Sequence, residues 1–575
     1  MVAGGAPATG QCSNTPRLGP SKPLACTLSL LPLLAFTTQA GAATAPLAAS
    51  TISSSGGLEY VYVHWILPLA WLLLAAAGAI LLCQRIRRVT RREIGALAAL
   101  IALALVIRLC LSPMGPGDIK NTLLSAYEGW PGAGLSEVER YGRGVEGLLV
   151  WLFLLVPAND AAVVGASLAA GVASVPLLAS LALRLGFSRR AALTAAVLLA
   201  VCPLHIRFSP TTGRYALLIF LLLAGWTQLL AWLQEGRRIS LVVAVLALTI
   251  AAQCRPEALA TPLVTAGLLL SQTRRVPVGF RRRLPTLGFA SAIHIVLLIV
   301  PALPLLLLAL NQTELAAYLP RPRPLFSAAH NPFFSPDFTP YVWMTAAVFG
   351  LFVGPRGSVA WCALGALFLS FLLCSTIISD VHLLNARYHL TAMPLYLLLA
   401  GNGLDAAARV TRIDRLRYPW SAVATSALVV GLAATAVAPL PAVLRTTTPD
   451  HEYRFLQEAL HEVPNGCDIY YPDTGWDHGL RAQPGLSTSA GRRHRWLPLE
   501  RWDPTSQQRC AVFFRSSACS AVGDPRYRPL RERCRTLADA STGEIETRAV
   551  PNIPMRGEEY ASNPVQIGIF WIQRP

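Results

Sequence analysis

Long apolar blocks separated by short arginine-rich segments dominate the pattern of this chain. Val61–Cys83, Ala161–Leu183 and Leu287–Leu310 each reach the length of roughly 20 apolar residues that crosses a bilayer. Similar but shorter blocks recur along most of the chain. The pattern predicts an α-helical polytopic membrane protein with about 12 transmembrane helices.

The charges between the blocks predict the direction of each span. Further spans are predicted at Ile94–Leu111, Ala191–Ile206, Tyr215–Leu233, Ile239–Cys254, Ala258–Leu270, Tyr341–Val353, Val359–Ile378, His389–Leu404 and Ala422–Leu440. Val145–Val156 is too short to span and is predicted to be an interfacial or re-entrant helix. Every dense arginine cluster then falls on one side, as the positive-inside rule requires. The loops 112–144 and 311–340 and the C-terminal segment are predicted to lie outside.

These directions divide the chain into four parts. Residues 1–45 read either as a signal peptide, with apolar Leu24–Phe36 before the small-residue stretch Gln39–Ala43, or as an uncleaved anchor. Residues 46–93 hold an extra N-terminal span and a basic cytoplasmic loop. Residues 94–444 form the main transmembrane domain, and residues 445–575 are predicted to form a small extracytoplasmic α/β domain.

The C-terminal segment changes from apolar blocks to short amphipathic elements. Glu452–His461 and Pro525–Leu537 predict helices, and Cys467–Tyr471, Ala511–Phe514 and Gln566–Ile572 predict strands. Four cysteines fall in this segment, which predicts two disulfides in an oxidising compartment. They are Cys467, Cys510, Cys519 and Cys534. Four cysteines allow three connectivities, and the sequence does not choose among them.

Composition supports the membrane interpretation and excludes nucleic acid as the partner. Apolar residues make up 53% of the chain and charged residues only 14%. The net charge of +18 comes from arginines placed between apolar blocks. The chain shows no basic stripe interleaved with aromatic residues of the kind that binds nucleic acid.

The outer loops carry the first candidates for chemistry. Asp118 follows a predicted span by about seven residues and could reach a lipid head group and an acceptor hydroxyl together, as a general base must. The alternative is that Pro-Gly-Asp is only a turn. Glu128, Glu137 and Glu139 are rival carboxylates in the same loop.

Single arginines and histidines mark the outer ends of the spans. Arg207, Arg214, Arg255 and Arg387 stand there against the positive-inside bias, and arginine suits a phosphate because its planar donors bind two oxygens. The alternative is snorkelling to the interface. His205, His330, His382 and His389 could hold a divalent cation, but their spacing matches no metal motif.

Four short motifs give the chain a resemblance to a known superfamily. They are Gly117-Asp118 in the first outer loop, the stretch Leu185–Leu218 containing Arg214-Tyr215, the turn Cys254-Arg255-Pro256-Glu257-Ala258, and Ala386-Arg387-Tyr388 with Pro394. In this order the chain resembles GT-C glycosyltransferases, particularly the bacterial branch of protein O-mannosyltransferases and aminoarabinose transferases. An adjacent acidic pair, present in many relatives, is missing, because Ile119 follows Asp118.

The resemblance implies a glycosyltransferase of the cell (inner) membrane. It implies a polyprenyl-phosphate-linked sugar as donor and a glycan, lipid or protein as acceptor, with Asp118 as base. Arg255, Arg387, Arg214 and Tyr388 would bind the donor phosphate, and Glu128, Glu257, His330 and His382 would contact substrate. A transporter, or a glycan polymerase or ligase using a lipid-diphosphate donor, is the alternative.

Overall fold

The computed structural model describes most of the helical part of the chain and most of the C-terminal segment. The described residues are 66–86, 91–111, 145, 148–149, 152, 160–211, 214–254, 260–272, 285–294, 331–376, 386–411, 420–444, 448–472, 494–503, 510–520, 528–551 and 564–573. The signal or anchor prediction for 1–45 and the outer loop 112–144 lie outside these residues. Val145–Val156, Leu287–Leu310 and the loop 311–340 are described only in part.

Helices build the region that the sequence assigned to the membrane. They are α1 (Leu67–Ile86), α2 (Arg91–Leu111), α3 (Asp160–Arg184), α4 (Arg189–Val201), α5 (Pro203–Phe208), α6 (Tyr215–Glu235), α7 (Arg238–Ala252), α8 (Thr261–Gln272), α9 (Tyr341–Gly350), α10 (Arg356–Thr376), α11 (Met393–Val410), α12 (Trp420–Ala434) and α13 (Leu440–Val443). Among the described residues, α1, α2, α3 and α6 are long and apolar enough to cross a membrane. The predicted total of about 12 spans is therefore not established.

One predicted span is two helices. Ala191–Ile206 was expected to be continuous, but α4 ends at Val201 and α5 begins at Pro203. A proline has no backbone N–H to continue the hydrogen-bond ladder, and it suits the first turn of a new helix. The predicted span His389–Leu404 also differs, because it opens with the 3₁₀ turn Arg387–Thr391 before α11.

Buried tryptophans fix the centre of the bundle. Trp226 of α6 and Trp361 of α10 meet edge to face, with ring centroids 5.4 Å apart. Their indole N–H groups donate to Thr265 Oγ1 at 2.9 Å and to the carbonyl of Val264 at 2.8 Å, both on α8. Buried indoles are stable only when the N–H finds an acceptor, so these two bonds hold α6, α8 and α10 in register.

Polar contacts show which helix ends lie together. At one end Arg184 Nη2 lies 2.9 Å from Glu235 Oε1, and Ser358 Oγ donates to the carbonyl of Leu185. The ends of α3 and α6 and the start of α10 therefore meet, as the predicted alternation of spans requires. At the other end Arg214, before α6, donates to the carbonyl of Cys254, after α7. The side of the membrane that each end faces stays a prediction.

The described residues of the C-terminal segment form a mixed five-stranded sheet in the order β2-β1-β3-β5-β4. The strands are β1 (Asp468–Tyr471), β2 (Arg495–Pro498), β3 (Ala511–Arg515), β4 (Gly543–Val550) and β5 (Val565–Gln573), with α14 (Thr448–Ala459) and α15 (Arg528–Asp539). The first three strands are parallel, and β5 is antiparallel to β3 and β4. The hydrophobic residues of α14 and of α15 belong to two separate cores, one on each face of the sheet.

Sequence patterns missed two of these strands. β2 is only four residues long and follows a run of arginine and histidine, and β4 carries charged residues on its exposed face. The structure joins Cys467 to Cys510 and Cys519 to Cys534. The first bond links the start of β1 to the residue before β3, and the second ties α15 to the turn after β3.

Glycines let α9 and α11 touch through their backbones. An added Cβ at Gly403 would strike the carbonyl of Ala346, and one at Gly350 would strike the carbonyl of Leu399. Contacts of this kind allow helices in a membrane to approach closely.

We expect Gly403→Ala to destabilise the bundle by about 1–3 kcal/mol, because the methyl group has no room to move aside. The measurement is the thermal midpoint in detergent. Gly431→Ala in α12 is the control, because an added Cβ there meets nothing within 4 Å. Equal midpoints for the two variants would show that the close approach is unimportant.

Candidate functional site

The break between α4 and α5 is closed by a buried arginine. Pro203 cannot donate to the carbonyl of Leu199, which lies four residues earlier. Arg108 of α2, which is fully buried, donates from Nη2 to that carbonyl at 3.5 Å and from Nη1 to the carbonyl of Ala200 at 3.2 Å. Carbonyls at the broken ladder therefore receive N–H donors from another helix, the Leu199 carbonyl in addition to the backbone N–H of Cys202 at 3.4 Å.

The remaining N–H groups of Arg108 hold α5. Nε donates to Ser209 Oγ at 3.2 Å, and Nη2 lies 2.5 Å from His205 Nδ1. Because a guanidinium can only donate, Nδ1 accepts and the proton of a neutral His205 stays on Nε2. Gly171 of α3 makes room for this network, since an added Cβ there would strike Ser209.

An ion pair between α5 and α14 connects the helical bundle to the C-terminal sheet. Arg207 Nη2 lies 2.8 Å from Asp450 Oδ2, and both side chains are almost completely buried. Two residues further along, Glu452 Oε1 accepts a hydrogen bond from the backbone N–H of Ser517, just after β3. The first turn of α14 and the carboxyl end of β3 therefore face the same end of the bundle.

Protonation of the histidine beside this ion pair is disfavoured in the folded chain. Burial lowers the pKa of His451 below its usual value of 6.5, Arg454 and Arg548 lower it further, and Asp450 opposes the shift. The unfolded chain then takes up a proton at a higher pH than the folded chain does. Stability contributed by the neutral ring is present above about pH 6.5 and decreases on acidification.

Arg387 and two tyrosines form a partly exposed cationic feature at this end. The Arg387 guanidinium carbon lies 5.2 Å from the ring centroid of Tyr388 and 5.9 Å from that of Tyr215. The two tyrosine rings meet edge to face at 6.2 Å, and Phe208 packs against Tyr215 at the same distance. Arg387 and Tyr388 are partly exposed, whereas Tyr215 is buried. We call these four residues the Arg387 cluster.

Arg214 fixes the backbone next to the cluster. It is 4% exposed and donates from Nη1 to the carbonyl of Cys254 at 3.1 Å, which ties the start of α6 to the end of α7. The next residue along the chain, Tyr215, carries the ring that contacts Arg387. Arg214 therefore positions a wall of the cluster.

A second aromatic group lies beside the 3₁₀ turn that carries Arg387. Phe333 stacks on Tyr396 at 4.8 Å and meets His389 edge to face at 5.7 Å. His389 and Tyr396 are buried, and neither ring nitrogen of His389 has a hydrogen-bond partner among the residues that the structure describes. These contacts hold the 3₁₀ turn Arg387–Thr391 against α11.

The structure brings together some of the residues that the sequence singled out. Arg387 and Tyr388 meet at Tyr215, Arg214 directly precedes Tyr215 along the chain, and Arg207 lies at the same end of the bundle. Eight residues that the sequence singled out lie outside the described residues: Asp118, Glu128, Glu137, Glu139, Arg255, Glu257, His330 and His382.

Sequence analysis missed Tyr215, Arg108 and Asp450 as functional candidates. The aromatic residue after Arg214 and the arginine inside an apolar span were visible signals for the first two. No signal in the sequence marked Asp450, because its partner is 243 residues away. No group of three His, Cys, Asp or Glu side chains in the described part of the chain is placed to hold a metal ion.

Comparison with known proteins gives similarity in structure only. No family model and no curated protein matches the chain. Among solved structures, ArnT from Cupriavidus metallidurans is 14% identical with a TM-score of 0.49, over 84% of this chain and 99% of that one. The oligosaccharyltransferase of Archaeoglobus fulgidus in its apo form is 12% identical with a TM-score of 0.43, over 70% of this chain and 64% of that one. At such values the function has to be argued from the residues of this chain.

We expect Asp450→Ala to destabilise the contact between bundle and sheet by about 3–5 kcal/mol, because it removes the carboxylate from a buried charge pair. The double variant Arg207→Met/Asp450→Leu should recover most of this loss, because it removes both charges. Thermal unfolding, with limited proteolysis between α13 and α14, measures the effect. A double variant as unstable as Asp450→Ala would contradict a buried ion pair.

Proposed function

We propose that this membrane protein is a glycosyltransferase that takes a sugar from a polyprenyl-phosphate-linked donor at the Arg387 cluster. The observation that carries the proposal is a partly exposed guanidinium set against aromatic rings at one end of a helical bundle. A sugar phosphate on a lipid presents an anion, a ring with apolar faces and hydroxyl groups. The cluster offers a matching group for each of them.

Arg387 is the group that binds the donor phosphate in this proposal. Its planar fork can donate two hydrogen bonds to two phosphate oxygens. The tyrosine rings beneath it limit its movement, so that less conformational freedom is lost on binding. The phosphate gains negative charge as it leaves, and a cation fixed nearby stabilises that charge more in the transition state than in the ground state.

Tyr388 binds the sugar. It meets the buried Tyr215 ring at a steep angle, and the buried Phe208 ring packs against Tyr215 in turn. Tyr388 is partly exposed and presents a ring face with a polar tip, which suits a molecule that is apolar on one face and polar at its edge. Its hydroxyl can orient the donor.

Asp118 is the proposed general base. It follows the last residue of α2 by seven positions, and α2 ends beside the network that holds α5, so the chain is long enough to reach the Arg387 cluster. Asp118 takes the proton from the acceptor hydroxyl while the hydroxyl oxygen attacks the anomeric carbon. The bond from that carbon to the phosphate oxygen breaks, and its electron pair leaves with the lipid phosphate. The transition state has oxocarbenium character.

The remaining predicted residues are assigned by proximity in sequence. Arg255 directly follows Cys254, whose carbonyl is bound by Arg214, and is proposed as a second phosphate contact. Glu257, Glu128, His330 and His382 are proposed substrate contacts. The acceptor is a glycan, a lipid or a protein on the extracytoplasmic side, where the C-terminal sheet domain is also proposed to lie.

We expect Asp118→Asn to lower sugar transfer by about a hundredfold or more, because the amide cannot accept the proton. The assay follows radiolabelled sugar from synthetic polyprenyl-monophosphate hexoses and pentoses to acceptors extracted from membranes. The control is Asp539→Asn, an exposed carboxylate on α15. Full activity of Asp118→Asn would remove this residue from the mechanism. Uptake of substrate into vesicles without any transfer would favour a transporter.

We expect Arg387→Ala to raise the KM for the lipid donor about tenfold or more, because a charged hydrogen bond to phosphate is lost, and to leave the KM for the acceptor nearly unchanged. Arg409→Ala, at the opposite end of the bundle, is the control. Unchanged donor saturation in the Arg387 variant would contradict the phosphate assignment. Turnover only with polyprenyl-diphosphate sugars would assign the alternative polymerase or ligase activity.

A further inference from the structure

A groove opens at the end of the bundle opposite to the Arg387 cluster. It has a volume of about 390 Å³ and lies at the elbow between α9 and α10. Its lining includes Leu351, Phe352, Val353, Arg356, Val359 and Leu364. The groove is therefore apolar except at one end, where Arg356 begins α10.

The elbow is rigid before any ligand arrives. The buried amide of Asn402 on α11 donates to the carbonyl of Gly350 at 2.7 Å and to that of Val353 at 2.5 Å. Gly354 has φ +95°, a conformation that a residue with a side chain rarely adopts. Gly354 allows the turn and the Asn402 amide fixes the backbone of the elbow, so binding need not order it.

The apolar wall of the groove is well exposed. Phe352 is 81% exposed and Leu364 is 68% exposed, and they flank the same opening. Exposed apolar surface of this kind needs a cover in water, and a lipid acyl chain supplies that cover in a membrane. The wall therefore fits a hydrocarbon chain.

Arg356 gives the groove its charge preference. Arg184 pairs with Glu235 and Arg409 pairs with Asp405 at this end, whereas Arg356 forms no ion pair with any residue that the structure describes. It is exposed, and it stands at the positive end of the α10 dipole. An anion at the mouth of the groove would be attracted by the Arg356 guanidinium and by the positive end of the α10 dipole.

We propose that this groove is a binding site for an anionic glycerophospholipid. The phosphate of the lipid lies against Arg356, and one acyl chain runs along Phe352, Val359 and Leu364. A single contact of this kind distinguishes an anionic lipid from a zwitterionic one, because the ammonium group of the latter cancels its phosphate charge. The site is separate from the donor site and lies in the leaflet at the other end of the bundle.

The test measures the thermal midpoint of the full-length protein in detergent as lipid is added. The probes are phosphatidylglycerol, phosphatidylethanolamine with the same acyl chains, and glycerol 1-phosphate, which has the charge but no chain. The wild-type protein should be stabilised at lower concentrations of phosphatidylglycerol than of phosphatidylethanolamine, and glycerol 1-phosphate should have little effect.

Two variants separate the charge from the chain. Arg356→Gln should weaken the binding of phosphatidylglycerol about fivefold, which corresponds to about 1 kcal/mol for one basic side chain near an anionic lipid. The binding of phosphatidylethanolamine should stay unchanged. Phe352→Ser should weaken the binding of both lipids. The matched control is Arg238→Gln, because Arg238 is also an exposed first residue of a helix at this end but does not line the groove.

Three outcomes would overturn the proposal. The first is an Arg356→Gln protein that keeps the full preference for phosphatidylglycerol. The second is an equal loss in Arg238→Gln, which would show a diffuse effect of charge. The third is an equal shift of the wild-type midpoint with glycerol 1-phosphate, which would show that the anion alone is bound. Sugar transfer does not enter the readout, so the result is independent of the proposed function.

Discussion

A missing N–H group near one end of the apolar bundle is the constraint from which the rest of this end of the molecule follows. Pro203 cannot complete the ladder of α4, and a carbonyl exposed to hydrocarbon would cost several kcal/mol. Arg108 supplies the donors from a neighbouring helix, and each of its hydrogen bonds among the described residues goes to a carbonyl, a hydroxyl or an imidazole. A buried cation is tolerated here because the helix break presents it with several dipoles at once.

The short helix that results determines where the C-terminal domain attaches. α5 leaves the direction of α4 and carries Arg207 to Asp450 on α14. Buried ion pairs contribute little net stability but discriminate strongly against wrong partners, which suits a contact that must set one orientation. The carboxyl end of β3 turns toward the same end of the bundle. The Arg387 cluster and the sheet are thus brought near each other by one break and one ion pair.

The two ends of the bundle use arginine differently. At the end with the Arg387 cluster, Arg108, Arg207 and Arg214 are buried and bind specific oxygens. At the other end, Arg238, Arg356 and Arg409 are exposed or mostly exposed. Exposed arginines at span ends suit the orientation of a chain in its membrane, whereas buried ones require fixed partners and mark places where geometry matters. The proposed donor site lies at the end with the buried arginines, and the proposed lipid site lies at the end with the exposed ones.

Local pattern determined the helices and tertiary structure determined the pairings. The ends of α2, α3, α6 and α10 lie within a few residues of the predicted spans, because length and hydropathy are properties of one segment. The break in Ala191–Ile206 was not predicted from the sequence, because one proline hardly changes the mean hydropathy of a long segment. β2 and β4 were not predicted either, because a short strand and a half-exposed strand are stabilised by the neighbouring strands rather than by their own sequence pattern. The connection of Cys467 to Cys510, the pairing of Arg207 with Asp450 and the meeting of Arg387 with Tyr215 join residues far apart along the chain. Only the folded backbone brings such groups within reach of each other, and no periodicity in the sequence records that distance.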